Sequence, residues 1–267
     1  MTPRSATKRS RTPATTQPDK PDKAYRKSPA MLAKQQGREH DLVLAATDVL
    51  VQRGWAAFTV DEVLERAPLS RGTLYKHFRN REDLGIAIAV ELLERNLAFA
   101  VRVEKFDGGT RERYVAMVGA LRLHSLLHPD ASKALYSLYN PDIRQKASAH
   151  WQAQFHMAFN RVTSLPLSVI HDGFRSGDIP GDAMVMAERI SYGVWSALLG
   201  FGQLVNTGAP LNSTIVEDAI VFQNELVDRL LDGHWWKPLS CEFDYNETLR
   251  RLWVEYFPVE SRMLVKV

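Results

Sequence analysis

From Leu42 onward, apolar residues return at three- and four-residue steps. Leu42, Ala45, Ala46, Val49 and Leu50 share one face of a helix predicted over about 38–53, with Gly54 as its stop. Thr59 precedes Asp61 and Glu62, an N-cap hydroxyl followed by first-turn acids, with Val60, Val63, Leu64 and Ala67 on the buried face of a short second helix. Pro68 ends it, and Ser70 caps a third helix, Arg71 to His77. Asn80 caps a fourth, with Glu82 and Asp83 in its first turn, running until Asp107-Gly108-Gly109. Beyond it the pattern predicts helices over 110–128, 130–139, 142–164, 166–176, 181–206, 213–232 and 243–256, broken at prolines and glycines such as Pro129, Pro141, Pro166 and Pro238. No 20–50-residue repeat is visible. The fold class expected is all-α: a three-helix N-terminal domain followed by a larger helical domain.

Two short helices joined by Ala67 to Ser70 behind a longer support helix suit a helix-turn-helix, whose second helix enters the DNA major groove. Arg71, Lys76, Arg79 and Arg81 are cationic with no acid among them, whereas Asp61 to Glu65 is acidic, so one end of the unit suits phosphate. Leu74 and Phe78 lie four apart and point inward, leaving Arg71, Thr73, Tyr75, Lys76 and His77 toward solvent or DNA, while Gly72 permits close backbone approach.

The runs Phe58-Thr59-Val60-Asp61-Glu62-Val63, Ala67-Pro68-Leu69-Ser70-Arg71-Gly72-Thr73-Leu74-Tyr75-Lys76-His77-Phe78 and Asn80-Arg81-Glu82-Asp83-Leu84 resemble the N-terminal domain of the tetracycline-repressor (TetR) family over about residues 38–90. The resemblance implies that Thr59, Tyr75, His77 and Arg81 bind phosphates and that Arg71, Gly72, Thr73 and Lys76 face the groove, with Ser70 in the same DNA-binding set. Arg81 stands where that family usually has Lys, and Pro68 where it generally has Gly. The resemblance further implies a homodimer on a palindromic site of double-stranded DNA. The helical C-terminal domain would supply an effector pocket and the dimer surface, and a small-molecule effector would release the protein as a repressor.

Composition refines this picture. The net charge of +3 is unevenly spread: residues 1–37 hold nine Lys/Arg against Asp19 and Asp22, net +7, so the remainder is mildly acidic at −4. Five prolines and few large apolar residues make 1–36 a disordered basic arm in expectation, leaving 37–82 as the helix-turn-helix domain and 83–267 as the second domain, entered through a connecting helix at 83–106. That arm keeps open an alternative, a non-specific nucleic-acid or membrane-surface binder working through its tail. The lone Cys241 and the absence of zinc-ligand spacing suit a reducing cytoplasm and predict neither metal nor cofactor. No secretory signal pattern is seen, and the apolar part of the uncharged stretch Ile190 to Val216 falls short of the ~20 residues of a membrane span, so it reads as a buried or interface helix. No nucleophile elbow, phosphate-cradling loop or His-Glu-x-x-His pattern points to an enzyme.

In the second domain, Ile190, Val194, Ala197 and Phe201 form one apolar stripe and Phe222 and Leu226 belong to another, candidates for a dimer interface or for internal core. Met117, Leu121, His124, Tyr136, Trp151, Phe155, Phe159 and Trp195 are candidate lining residues of an effector cavity, or plain core. His124 and His128 sit at i and i+4, without a third ligand.

Overall fold

The computed structural model describes residues 29–67, 69–206 and 219–264. In order the elements are α1 (Pro29–Ala57), α2 (Val60–Arg66), α3 (Arg71–His77), α4 (Arg81–Arg102), α5 (Thr110–Leu127), α6 (Pro129–Leu138), α7 (Pro141–Lys146), α8 (Ala149–Ser176), α9 (Ala183–Asn206), α10 (Ala219–Gly233), α11 (Tyr245–Arg251) and α12 (Pro258–Leu264), with a π-helical turn (Leu252–Tyr256) before the last. No strand occurs among the described residues, and the fold is all-α. The chain divides into two units, residues 1–37 and 38–267. What is described of the first is the opening of α1; the rest of the architecture belongs to the second.

Helix α1 begins at Pro29, not near residue 38 as the apolar periodicity predicts, so the expected disordered arm is shortened at its C-terminal end. Proline suits a first helical position, and Ala30 to Gln36 is an unbroken run of strong helix formers that needs no buried face to be helical. Residues 1–28 of the expected arm lie outside the described residues. At its other end α1 is interrupted where predicted: Gly54 has φ +69° and ψ 163°, a conformation that strains any residue with a Cβ.

Two hydrophobic clusters fill unit 38–267. In the first, Leu42, Val49 and Leu50 of α1, Val63 of α2, Leu74 and Phe78 pack with the first half of α4 and with Leu135, Leu138, Ile143, Trp151 and Phe155 from α6 to α8. Packing is therefore continuous across residue 82, where the sequence suggested a domain boundary. The second joins Ala100 and Val103 near the end of α4 to α5, the later half of α8, α9, α10 and the C-terminal helices. Among the described elements only α4 and α8 run through both clusters, and these two pack against each other.

The break predicted at Pro166 does not occur: α8 runs unbroken through it, with Pro166 buried. An interior proline costs ~3 kcal/mol, which packing of α8 against α4, α5 and α9 offsets. The actual break falls at Ala147 and Ser148, splitting the predicted 142–164 helix into α7 and α8. There the Ser148 N–H donates to the buried Asp83 carboxylate at 2.6 Å, a contact between residues 65 apart that periodicity does not encode. No helix among the described residues is long and apolar enough to cross a membrane.

Candidate nucleic-acid interface and cavity

Each helix of the helix-turn-helix is closed by its own cap. The Thr59 hydroxyl accepts from the Glu62 N–H at 3.3 Å, Ser70 accepts from the Thr73 N–H at 3.2 Å, and Asn80 accepts from the Asp83 N–H at 2.7 Å. All three are N-caps with extended backbone, and each satisfies a donor the helix would leave orphaned. Pro68, the residue that departs from the resemblance, lies outside the described residues. Beside it, Ala67 caps α2 with its N–H on the Val63 carbonyl at 2.9 Å.

Leu74 and Phe78 are fully buried, as their spacing predicts, and Phe78 stacks on Trp151 at 5.4 Å between centroids. With that face fixed inward, α3 presents Arg71, Gly72, Tyr75 and Lys76 exposed and Thr73 half-exposed. Tyr75 is 45% exposed, its ring open to solvent beside Lys76. Arg71 pairs with Asp61, but both side chains are well exposed, so the pair is weak and the guanidinium can exchange it for another anion.

Two of the residues assigned to phosphate are held differently. The His77 side chain is only 6% exposed, and its Nδ1 donates to the Glu39 carboxylate at 2.9 Å, clamping α3 to α1. Arg81 donates to the Trp55 carbonyl and lies 4.1 Å over the Trp55 ring. That ring stacks on Phe58 at 5.6 Å and reaches α4 because residue 85 is glycine; a Cβ there would sit 2.6 Å from it. Helical spacing left His77 outward, and the resemblance gave Arg81 a phosphate. The partners that draw them in, Glu39 and Trp55, are 38 and 26 residues away.

The start of α4 is tied to the α7–α8 junction by short polar contacts. Asp83 is buried and accepts from the N–H groups of Arg79 (2.9 Å) and Ser148 (2.6 Å), while Asn80 Nδ2 donates to the Lys146 carbonyl at 2.9 Å. The residues that end the helix-turn-helix thus hold the α7–α8 junction.

Between α4, α5, α6, α8 and α9 lies a cavity of about 330 Å³. It brings together four of the residues singled out for it, Leu121, Tyr136, Phe159 and Trp195. Met117 and His124 are buried in α5, Trp151 belongs to the first cluster, and Phe155 contacts Tyr139 and a groove near Arg144; these four do not line it. Tyr139, Asn96, Arg122 and Ser125 line it without having been foreseen. Tyr139 stands three residues after Tyr136, which was a usable signal; a cation and two polar residues on helices otherwise taken as core gave none. Tyr139, Phe159 and Trp195 meet edge-on, with centroids 5.4–6.3 Å apart. Burial raises the pKa of the Tyr136 and Tyr139 phenols, which keeps both neutral donors. Among the described residues no group of three or more His, Cys, Asp or Glu is placed to hold a metal.

The stripes offered as a dimer surface divide. Ile190 and Val194 are buried in the second cluster and are corrected to core, since the α9 face they occupy packs on α8 and α10. Phe201 lines the cavity and meets Phe222 at 5.6 Å, and Ala197, Phe222 and Leu226 are half-buried. The outward face of α9 is instead Val185, Arg189, Tyr192, Ser196 and Gly200, all exposed.

Residues 42–88 match the family described as bacterial regulatory proteins, tetR family. The chain is 37% identical over 65 residues to the HTH-type transcriptional activator FasR of Mycolicibacterium smegmatis, which is 24% of this chain and 29% of that protein. It is 32% identical over 111 residues to the DNA-binding transcriptional repressor TetR of Mycobacteroides abscessus, 39% of this chain and 56% of that protein. The chain thus spans from under a third to about half of the length of these relatives. Its fold is similar to that of the transcriptional regulator FadR from Bacillus subtilis in complex with stearoyl-CoA, with TM-score 0.56 at 15% identity, over 73% of this chain and 98% of that one. The capped helix-turn-helix and the family match that covers it agree: residues 42–88 form a helix-turn-helix domain similar to that of bacterial regulatory proteins of the tetR family.

Proposed function

We propose that the protein is a cytoplasmic, homodimeric repressor that holds a palindromic double-stranded DNA operator until a small molecule fills the cavity. The observation that carries the reading is the contact of Asn80 and Asp83 with Lys146 and Ser148. It joins the end of the DNA-binding unit to the helices around the cavity. A ligand acts only through the difference in its affinity for the two states, and near-complete release takes ~5 kcal/mol of difference. Movement of α6 to α8 around a bound molecule would shift the α7–α8 junction, and α4 would carry the shift to α3.

On DNA, Arg71, Thr73 and Lys76 are the base readers, and Thr59, Ser70 and Tyr75 hold phosphates, with Gly72 allowing close approach. His77 and Arg81 act behind them by fixing α3 to α1 and α4. Two copies meet through the outward face of α9, where Ser196 and Gly200 let backbones approach and Tyr192 supplies apolar area.

The test is footprinting of the purified protein on genomic fragments, followed by titration of salt. A palindromic protected site is expected, with affinity falling as salt rises according to the phosphates neutralised. Binding that is salt-dependent but indifferent to sequence, and that persists in a Tyr75→Ala/Lys76→Ala variant, would overturn the reading in favour of a tail-driven binder.

A further inference from the structure

The hydrogen bonds already made in the cavity wall define what fits it, and this step rests on the reading of that cavity as the effector site. Several polar groups of the wall have spent their donors. The Ser125 hydroxyl donates to the Leu121 carbonyl at 3.3 Å and the Thr163 hydroxyl to the Phe159 carbonyl at 3.1 Å, each within its own helix. Gln223 Nε2 donates to the Leu198 carbonyl at 3.4 Å, and the Tyr136 phenol is hydrogen-bonded to Ser125. What such groups leave toward a guest is acceptor lone pairs. The Asn96 side-chain oxygen adds one more. It is buried at the wall with no hydrogen-bond partner among the described residues, where nearly all buried polar atoms have one. Arg122, the sole cation of the described lining, is engaged as well: its Nη1 donates to the Asn224 side-chain oxygen on α10, and the side chain holds a further contact. An anion entering here gives up its water without donors to replace it, whereas a neutral group that donates meets acceptors.

Shape and size narrow the class. Tyr139, Phe159 and Trp195 meet edge-on, each pair within 6.3 Å, and offer ring faces and edges to the interior. Aromatic rings pack on one another offset or edge-to-face with a gain beyond burial, so a planar ring is favoured there over a saturated chain of the same area. An engineered cavity of ~150 Å³ holds one benzene ring, so about 330 Å³ accommodates two fused rings with short substituents. We propose that the ligand is an uncharged hydroxylated aromatic of one or two rings, a phenol or a naphthol. Its ring lies against Tyr139, Phe159 and Trp195, and its hydroxyl donates to the Asn96 side-chain oxygen.

Calorimetry on the full-length protein without DNA tests this with 2-naphthol, 2-methoxynaphthalene, 2-naphthoate and 1-decanol. The naphthol is expected to bind and to quench the fluorescence of Trp195, a change lost in a Trp195→Phe variant. The methyl ether keeps the ring and loses the donor, and should bind about fivefold more weakly, the effect of one neutral hydrogen bond. Naphthoate should be at least about tenfold weaker than the naphthol, because its charge is buried without a partner. Decanol keeps the hydroxyl without the ring and should also be weaker. In an Asn96→Leu variant the preference for naphthol over its ether should shrink to under about twofold. The comparison of ligands on the unaltered protein stands even if that variant does not fold. A naphthol that does not bind, an ether as tight as the naphthol, or naphthoate or decanol as the tightest of the four overturns the assignment. Operator release is measured separately. A naphthol that binds selectively yet leaves DNA affinity unchanged supports the ligand class and refutes the cavity as a switch; release by naphthoate or decanol and not by naphthol keeps the switch and refutes the class.

Discussion

At the scale of single residues, the face of α3 divides by burial into a packed side and a working side. Leu74→Ala and Phe78→Ala each empty a fully buried site in the first cluster and should cost ~2–5 kcal/mol of stability, read as a lower denaturant midpoint with unchanged slope. Lys76→Ala and Tyr75→Ala leave the core untouched, so stability should stay within ~0.5 kcal/mol while operator affinity falls. If Lys76 reads a base, its loss relaxes specificity at one position; if it holds a phosphate, all sequences weaken alike and the salt slope drops by ~1. His124 offers a test by pH. Burial first, then the charges of His128 and Arg95, lower its pKa from 6.5 to about 4. Its ring is packed edge-on against Phe99 and beside His128, each at 4.9 Å. Between those values the unfolded chain takes up a proton that the folded chain refuses, so stability is full above pH 6.5 and declines as pH falls toward 4. Urea midpoints at pH 7 and pH 5 should differ more for the unaltered protein than for His124→Phe.

At the scale of elements, α4 has two jobs that its sequence states separately. Its N-cap and first-turn acids are written in Asn80-Arg81-Glu82-Asp83, but that Asp83 also receives the Ser148 N–H emerges only when α8 is brought alongside. A carboxylate at the start of α8 is also favoured by the partial positive charge of a helix N-terminus. Asp83→Asn keeps the shape and removes the charge. It is expected to lower stability by ~1–3 kcal/mol and, on the reading of ligand-driven release, to leave ligand binding intact while weakening its effect on DNA. Paired titrations of ligand and operator would check this; full release in the variant would place the transmission elsewhere. The cavity obeys the same division. Trp195, Phe159 and Tyr136 were legible as aromatic positions on successive helices. The exclusion of Trp151 was not, because it depends on Phe78, 73 positions earlier in the chain, reaching it first.

At the scale of the whole molecule, the continuous first cluster means that the DNA-binding helices do not close a core of their own. Thermal unfolding of the chain should therefore give one transition for α1 to α8 and not a separate early melt of the helix-turn-helix, checked by the signal of Trp55 following the same curve as that of Trp195, which packs on Phe159 of α8. On the proposed assembly, Gly200→Arg on the outward face of α9 should shift the sedimentation mass from dimer to monomer and reduce operator affinity, with the fold intact because Gly200 is exposed.

The sequence by itself determined the helical class, the three caps at Thr59, Ser70 and Asn80, the stop at Gly54, and the inward pair Leu74 and Phe78. All of these rest on spacings of a few residues, within which the geometry of a helix is fixed. Tertiary structure alone decided that His77 and Arg81 turn inward, that α8 continues through Pro166, and that Ile190 and Val194 are core. It likewise decided which aromatics face the cavity and that Arg122 joins them. Each of these depends on a partner far along the chain, and a helical period says which side chains share a face but not what that face meets.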